Sequence, residues 1–169
     1  VVPSQTTETV LQFISNTEKR TSIPLAFVEE ALGPDQIRSF PALRNATRVP
    51  IAGGEIVTTA GELVERIGHG YYDIIQPDAT VMGGITPLLT VCESAKAHQI
   101  NTYVHCWGGP VGMMANYHAA VAAGTAVAEW PLPKFALRQA MPQQAWHIAD
   151  GILTLPDTPG LGVELTDLI

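Results

Sequence analysis

Cysteine is nearly absent from this 169-residue chain. Cys92 and Cys106 are the only two, too few for a disulfide framework and without the spacing of a metal-ligand pair. We therefore expect a reducing, cytoplasmic setting. Basic residues are also scarce: 9 Lys and Arg stand against 16 Asp and Glu, a net charge of −7. That balance argues against nucleic acid as a partner, because phosphate binding draws on basic patches. Long apolar runs are missing too. None reaches the length of a membrane-spanning helix, and no basic-then-apolar signal pattern opens the sequence, so no membrane partner is expected. Charged residues make up only 15% and aromatic residues 7%, whereas 46% is hydrophobic. The chain is long enough for one domain with a real core. It starts at Val1 rather than Met, and we expect a fragment of a longer protein.

What is present is an alternation of short apolar runs and helical patterns. Residues 6–20 read as a helix with Val10, Leu11 and Ile14 on one face. Strands are expected at Ile23–Val28, Val49–Ala52, Asp73–Gln76, Thr102–Val104 and Ala126–Ala128. Helical segments fall between them, at 37–43, 60–67, 85–98 and 111–123. Thr59 precedes the second of these, and Glu62 three residues later completes the spacing of a capping box. The run YYDIIQPDATVMGGITPLL shows the unit whole: a buried strand, a Pro77-Asp78 end, a Gly83-Gly84 turn and a helix. Beyond Pro131 the alternation stops. Residues 131–169 hold five of the thirteen prolines, which marks 132–169 as a tail rather than further strand–helix units.

Each strand ends in a polar residue suited to chemistry: Glu29, Glu55, Asp78, His105 and Glu129. They are spaced 26, 23, 27 and 24 residues apart. A period near 25 with alternating strand and helix indicates consecutive βα units. A doubly wound sheet concentrates its ligand site at one switch point. A (β/α)₈ barrel gathers all its strand ends around one mouth. The expected fold is therefore α/β, the C-terminal part of a (β/α)₈ TIM-type barrel. It would hold about five βα units over residues 1–131, then the tail.

Glu29 and Glu55 lie on neighbouring strand ends without thiols nearby, an arrangement suited to a hard cation such as Mg²⁺. The structural alternative is that each caps the following helix. Glu30 alternates to the other side and is expected to make a structural contact. Asp78 and His105 are also neighbours, and a carboxylate beside an imidazole fixes its tautomer and raises its basicity. The alternative is a histidine hydrogen-bonded for packing. Glu129 is either a donor to substrate, if the pocket keeps it protonated, or a salt-bridge acid. Trp107 directly follows the His105 strand end and is placed in the substrate pocket. His118, inside the apolar stretch MMANYHAA, is expected to be a satisfied packing residue. His69 and His98 fall at helix ends, where they complement the dipole. Glu62, Glu65 and Glu93 read as solvated helix faces.

In register, VEE at 28–30, GGE at 53–55, QPDATVMGG at 76–84, VHCWGG at 104–109 and AEWP at 128–131 resemble the enolase superfamily. The resemblance is to the C-terminal barrel part of the subgroup of mandelate racemase and the acid-sugar dehydratases. It implies that Glu29 and Glu55 are metal-binding carboxylates after the fourth and fifth barrel strands. It also implies that Asp78 and His105 form a catalytic dyad after the sixth and seventh. Glu129, after the eighth, would hydrogen-bond the developing enediolate. The implied chemistry is Mg²⁺-dependent removal of the proton α to a carboxylate. A Lys or His base acting with a metal-stabilised intermediate is the known pattern of this superfamily. Dehydration of an acid sugar is expected, with a racemase or epimerase of a 2-hydroxy acid as the enzyme alternative. A non-catalytic partial-barrel scaffold is the alternative of another class. The partner is a small-molecule carboxylate, and the full-length protein is expected to be a homo-oligomer.

The sequence departs from the family pattern in two places. Ala31 stands where the family has proline after Glu-Glu. The family's upstream metal-binding Asp is expected near Pro3, where no Asp stands within residues 1–10. The family's Lys-bearing strand and capping domain are expected to lie outside this chain, so the chain alone is not expected to be a competent catalyst.

Overall fold

The computed structural model describes residues 5–125, 127–133 and 147–163. Five strands form one parallel sheet: β1 (Val28–Glu29), β2 (Ile51–Gly53), β3 (Ile74–Ile75), β4 (Asn101–Val104) and β5 (Val127–Ala128). Their spatial order is their chain order, β1-β2-β3-β4-β5, with Val28 opposite Ile51, Ala52 opposite Ile74, Ile75 opposite Thr102 and Val104 opposite Ala128. A doubly wound sheet reverses its strand order at the switch point. No reversal occurs here, and the sheet runs on in one direction as in the arc of a barrel.

Helices connect the strands: α1 (Thr7–Arg20) precedes β1, and α2 (Phe40–Ala46), α3 (Ala60–Gly68), α4 (Ile85–Ala97) and α5 (Pro110–Ala123) fill the crossovers. Successive helices pack on each other, α1 on α2, α3 on α4 and α4 on α5, which covers one face of the sheet. The covered face forms the core, with Leu43, Ile51, Leu63, Ile75, Leu88, Val91 and Val104 fully buried. Burying a side chain of this size is worth roughly 1.5–3 kcal/mol.

The helix ends follow local rules. Thr6 caps α1 and forms a reciprocal pair with Thr9. Thr59 caps α3 by accepting the Glu62 N–H, but the Glu62 carboxylate pairs with Arg66 one turn on instead of closing a capping box. Pro110 begins α5 and Gly124 ends it in the left-handed conformation.

Three segments differ from the sequence reading. The run Ile23–Val28 forms a strand only at its end, because Pro24 lacks the N–H a ladder needs. The segment 37–43 is a 3₁₀ turn, Pro34–Ser39, leading into α2. In the tail, β6 (His147–Ala149) and β7 (Ile152–Thr154) form an antiparallel hairpin, which the sequence reading did not include. Leu153, Leu155, Leu161 and Val163 pack against a second cluster of Cys106, Met113, Met114 and Tyr117. The region near Pro3, residue 126 and parts of the tail, 134–146 and 164–169, lie outside the described residues. Among the described residues, no helix is long and apolar enough to cross a membrane.

Candidate active site

The backbone ladder continues past each strand and locks the residues at its end. Glu30 donates its N–H to the Ala52 carbonyl at 3.1 Å, Gln76 to Gly53 at 2.9 Å, His105 to Pro77 at 3.1 Å and Glu129 to Val104 at 3.0 Å. The C-terminal strand ends are thus held in register before any side chain contributes. Glu29, Glu30, Glu55, His105, Trp107 and Glu129 line one cavity of about 690 Å³, with Gln5 and Phe13 of the α1 region at its side. Trp107 is about half exposed there.

The GGE motif has a packing reason. A Cβ at Gly53 would stand 2.7 Å from a Tyr72 ring carbon and 2.9 Å from a Glu30 carboxylate oxygen. Gly54 has a φ of +116°, a conformation other residues rarely adopt. Its free N–H donates to Glu30 Oε1 at 2.6 Å. Glu30 itself has a positive φ of 41°, which its side-chain bond to Gly54 helps to hold. So Glu30 lines the mouth, yet one of its oxygens is committed to the backbone. Burial pushes its carboxyl above the ordinary value, opposed by the Gly54 N–H and the Arg66 charge.

Asp78 is almost fully buried. Its Oδ1 accepts from Thr80 N–H at 2.7 Å, Thr80 Oγ1 at 2.7 Å and Asn116 Nδ2 at 2.8 Å. Its Oδ2 lies 2.7 Å from His105 Nδ1. Burial alone would raise this carboxyl, but the donors from His105, Asn116 and Thr80 outweigh it and hold it below the usual range. Burial would likewise lower the His105 pKa, yet the bond to Asp78 and the charges of Glu55 and Glu129 raise it. With Nδ1 committed to an ionised carboxylate, the imidazole presents Nε2 to the mouth. That atom is 3.5 Å from Glu55 Oε2 and 3.9 Å from Glu129 Oε2.

The Glu29 and Glu55 side chains meet. Burial raises the Glu55 carboxyl to about 7, the His105 charge opposes the rise, and the charge and contact of Glu29 add to it. Burial and the Glu29 charge also raise Glu129, against His105, Gln76 and a backbone bond from Cys106. Two carboxylates pressed together at an open mouth, one reluctant to ionise, are a donor set that a hard divalent cation relieves. Mg²⁺ is commonly held by one or two carboxylates with water and substrate completing its shell, so Glu29 and Glu55 fit it in number and in chemistry. Among the described residues, no group of three or more His, Cys, Asp or Glu side chains gathers at metal-ligand spacing.

Two residues here escape a reading of the sequence. Gln76 is fully buried, and its Nε2 donates to Glu29 Oε1 at 2.7 Å and to Glu129 Oε1 at 2.6 Å. Asn116 is fully buried on α5, where it accepts from Ala79 N–H at 2.7 Å and donates to Asp78. Both sit in apolar stretches, and only their polarity within those stretches could have marked them. The remaining histidines stay out of the site. His69 and His98 cap α3 and α4. His118 differs from the expectation of a satisfied packing residue: its Nε2 is buried with no partner among the described residues, in a stretch with few polar neighbours.

Most of the chain is similar to known proteins. The chain is 26% identical to the D-galactarolactone cycloisomerase of Agrobacterium fabrum, over 93% of this chain and 44% of the relative. It is 31% identical to the arabinonate dehydratase of Saccharolobus solfataricus, over 83% of this chain and 38% of the relative. Thus it spans about two-fifths of the length of these relatives. Among solved structures it is similar to an enolase from Pantoea ananatis with bound D-gluconate and Mg. That similarity has a TM-score of 0.79 at 25% identity and covers 94% of this chain and 38% of the other. The five parallel strands correspond to the C-terminal part of the barrel in such proteins. The match to the family described as enolase C-terminal domain-like runs over residues 5–169, and the chain belongs to that family.

Proposed function

We propose that this chain supplies the acid–base half of an enzyme that removes the proton α to a carboxylate, and that the reaction is dehydration of an acid sugar. The observation that carries the reading is the His105 imidazole, held by Asp78 at 2.7 Å with Nε2 turned into a mouth of three strand-end glutamates. The similarity to a dehydratase at 31% identity supports the choice of reaction.

In this reading Glu29 and Glu55 hold Mg²⁺. The cation, when bound, stabilises the negative charge that grows on the substrate carboxylate as the α-proton leaves. His105 takes that proton at Nε2, and Asp78 keeps Nδ1–H in place so that Nε2 carries the lone pair. The C–H electrons form the new carbon–carbon double bond as the β-hydroxyl departs. The imidazolium returns the proton to that hydroxyl, which leaves as water. The enol then rearranges to the 2-keto-3-deoxy acid. Burial raises the Glu129 carboxyl, and its protonated form would donate a hydrogen bond to the substrate oxygen that becomes negative. Trp107 and Phe13 bound the space for the rest of the substrate.

An isomerase is the second reading, in which the proton returns to carbon instead of to a leaving hydroxyl. The similarity to a cycloisomerase at 26% identity favours keeping it. One experiment separates the readings. Acid sugars and their epimers are incubated with the full-length protein that contains this chain, in deuterated water with Mg²⁺ present. A keto-deoxy product indicates dehydration. Deuterium at the α-carbon of recovered starting material or its epimer indicates isomerisation. Neither outcome with any acid sugar would leave the scaffold reading.

A further inference from the structure

We infer that Gln76 is a positioning residue that fixes the Glu29 and Glu129 carboxylates together and leaves the second oxygen of each for the ligand. The inference rests on the catalytic reading above for its effect on turnover, but not for the contact itself. Gln76 ends the middle strand of the sheet, whereas Glu29 and Glu129 end the first and the last. A single amide nitrogen donates to both, at 2.7 and 2.6 Å, and uses its two N–H groups to do so. Gln76 is fully buried, so water does not compete for these bonds.

The amide orientation follows from charge. With nitrogen and oxygen exchanged, the oxygen would face two carboxylates and supply no proton to either. The Oε1 atom has no partner among the described residues, so nothing shown there sets the orientation; the two carboxylates do. Among the described residues lining the cavity there is no Lys or Arg, while Glu29, Glu30, Glu55 and Glu129 all face it. Neutral N–H donors therefore hold this acidic mouth together without cancelling the charge that a cation needs. Glu129 Oε2 is left 3.9 Å from His105 Nε2, and Glu29 is left in contact with Glu55. A residue of the same size without donors would leave both carboxylates free to turn away.

The test has a spectroscopic arm and a kinetic arm. In side-chain ¹⁵N–¹H spectra, the Gln76 signals are assigned by their loss in Gln76→Leu. Both amide protons should be shifted downfield and protected from exchange. Glu29→Leu should release one of them and Glu129→Leu the other. Two freely exchanging protons in the native protein would overturn the bridge. In the kinetic arm, Gln76→Leu should lower kcat by about 10-fold or more, the scale for residues that orient others, with KM changed less than about threefold. Its affinity for Mg²⁺ alone, measured by calorimetry, should weaken. In a Glu129→Gln background the same substitution should cost less, because one of the two carboxylates it positions is gone. Gln76→Met repeats the measurement if the leucine variant does not fold. Unchanged kcat and Mg²⁺ affinity in a folded variant, or equal losses with and without Glu129, would overturn the positioning role. If the native protein turns over no acid sugar, the catalytic reading fails, and the spectra still decide whether Gln76 holds both carboxylates.

Discussion

His105 and Asp78 share a hydrogen bond of 2.7 Å although 27 residues separate them, because β3 and β4 are adjacent and their register, Ile75 opposite Thr102, continues to bring Asp78 level with His105. The bond makes the two residues one unit. Asp78→Asn keeps the size but removes the charge that raises the imidazole, so the His105 pKa should fall, as read by NMR titration. His105→Asn should lower turnover by about 10²-fold or more, and Asp78→Asn should lower it as well. The double variant should lose little beyond the worse single one. Strictly multiplicative losses would mean that the residues act separately.

The raised carboxyls predict a pH dependence in the metal-free protein. Glu55 titrates at about 7 when folded, against an ordinary value of 4.5. Between those values the folded state holds a proton that the unfolded state has lost, so stability falls as pH rises through the window. His105, also raised, has the same sign. Its contribution is complete below about pH 6.5 and is lost as pH rises through the folded value. Asp78, lowered, acts at the other end, losing its contribution as pH falls below about 3.9. Urea unfolding in EDTA should therefore show more stability at pH 5.5 than at pH 8, and Glu55→Gln should flatten the slope. Mg²⁺ displaces the Glu55 proton in this reading, so its affinity should rise with pH through about 7, with proton release visible in calorimetry. An affinity independent of pH would remove Glu55 from the cation site.

The five strand-end residues were legible because their pattern is local: an apolar run, one polar residue, then a turn, repeated near 25 residues. The barrel order was legible for the same reason. Gln76 and Asn116 were not. Their partners lie 47, 53 and 38 residues away, and no local pattern marks a polar side chain that turns inward. The separation of Glu29 from Glu30 was half legible. Strand alternation put Glu30 on the other face with a structural contact; its side chain does bond Gly54, but with a positive φ it lines the same mouth as Glu29. Strand lengths were overestimated at Ile23–Val28, where Pro24 and the ladder decide and apolar character does not.

Gly53 should be intolerant of substitution for a reason apart from chemistry. The 2.7 Å approach to Tyr72 involves a ring that is fully buried and bonded through its hydroxyl to Arg66. The ring cannot give way cheaply. Gly53→Ala should destabilise by about 1–3 kcal/mol, the usual cost of overpacking, in denaturant unfolding. An unchanged midpoint would show that the Glu30 and Tyr72 side chains can move aside.

Cys92 should be chemically quiet. It is buried on α4, and burial, aided by the Glu93 charge, pushes its thiol up to about 11. At pH 8 the thiolate is roughly 10²-fold scarcer than in a free cysteine with its ordinary value near 8.5. Native protein should react with a thiol reagent far more slowly at Cys92 than denatured protein does. Peptide mapping of the labelled sites would show fast native labelling if α4 opens readily.

Asn116 offers the sharpest separation of support from chemistry. Its Oδ1 takes the Ala79 N–H and its Nδ2 gives a proton to Asp78 Oδ1, so one amide braces the loop and the carboxylate of the dyad. Asn116→Leu is close in size and would leave the Ala79 N–H buried without an acceptor. That should cost about 1–3 kcal/mol of stability. It should also deprive Asp78 of a donor and let its pKa rise toward the ordinary value. Asn116→Asp tests the other half, because it keeps the acceptor for Ala79 but sets a second carboxylate against Asp78. If both variants fold, the leucine variant should lose stability and some turnover. The aspartate variant should lose turnover through the disturbed dyad, and its His105 pKa should shift further upward. Normal turnover and an unmoved His105 titration in both variants would show that Asp78 is held well enough by Thr80 and His105 alone.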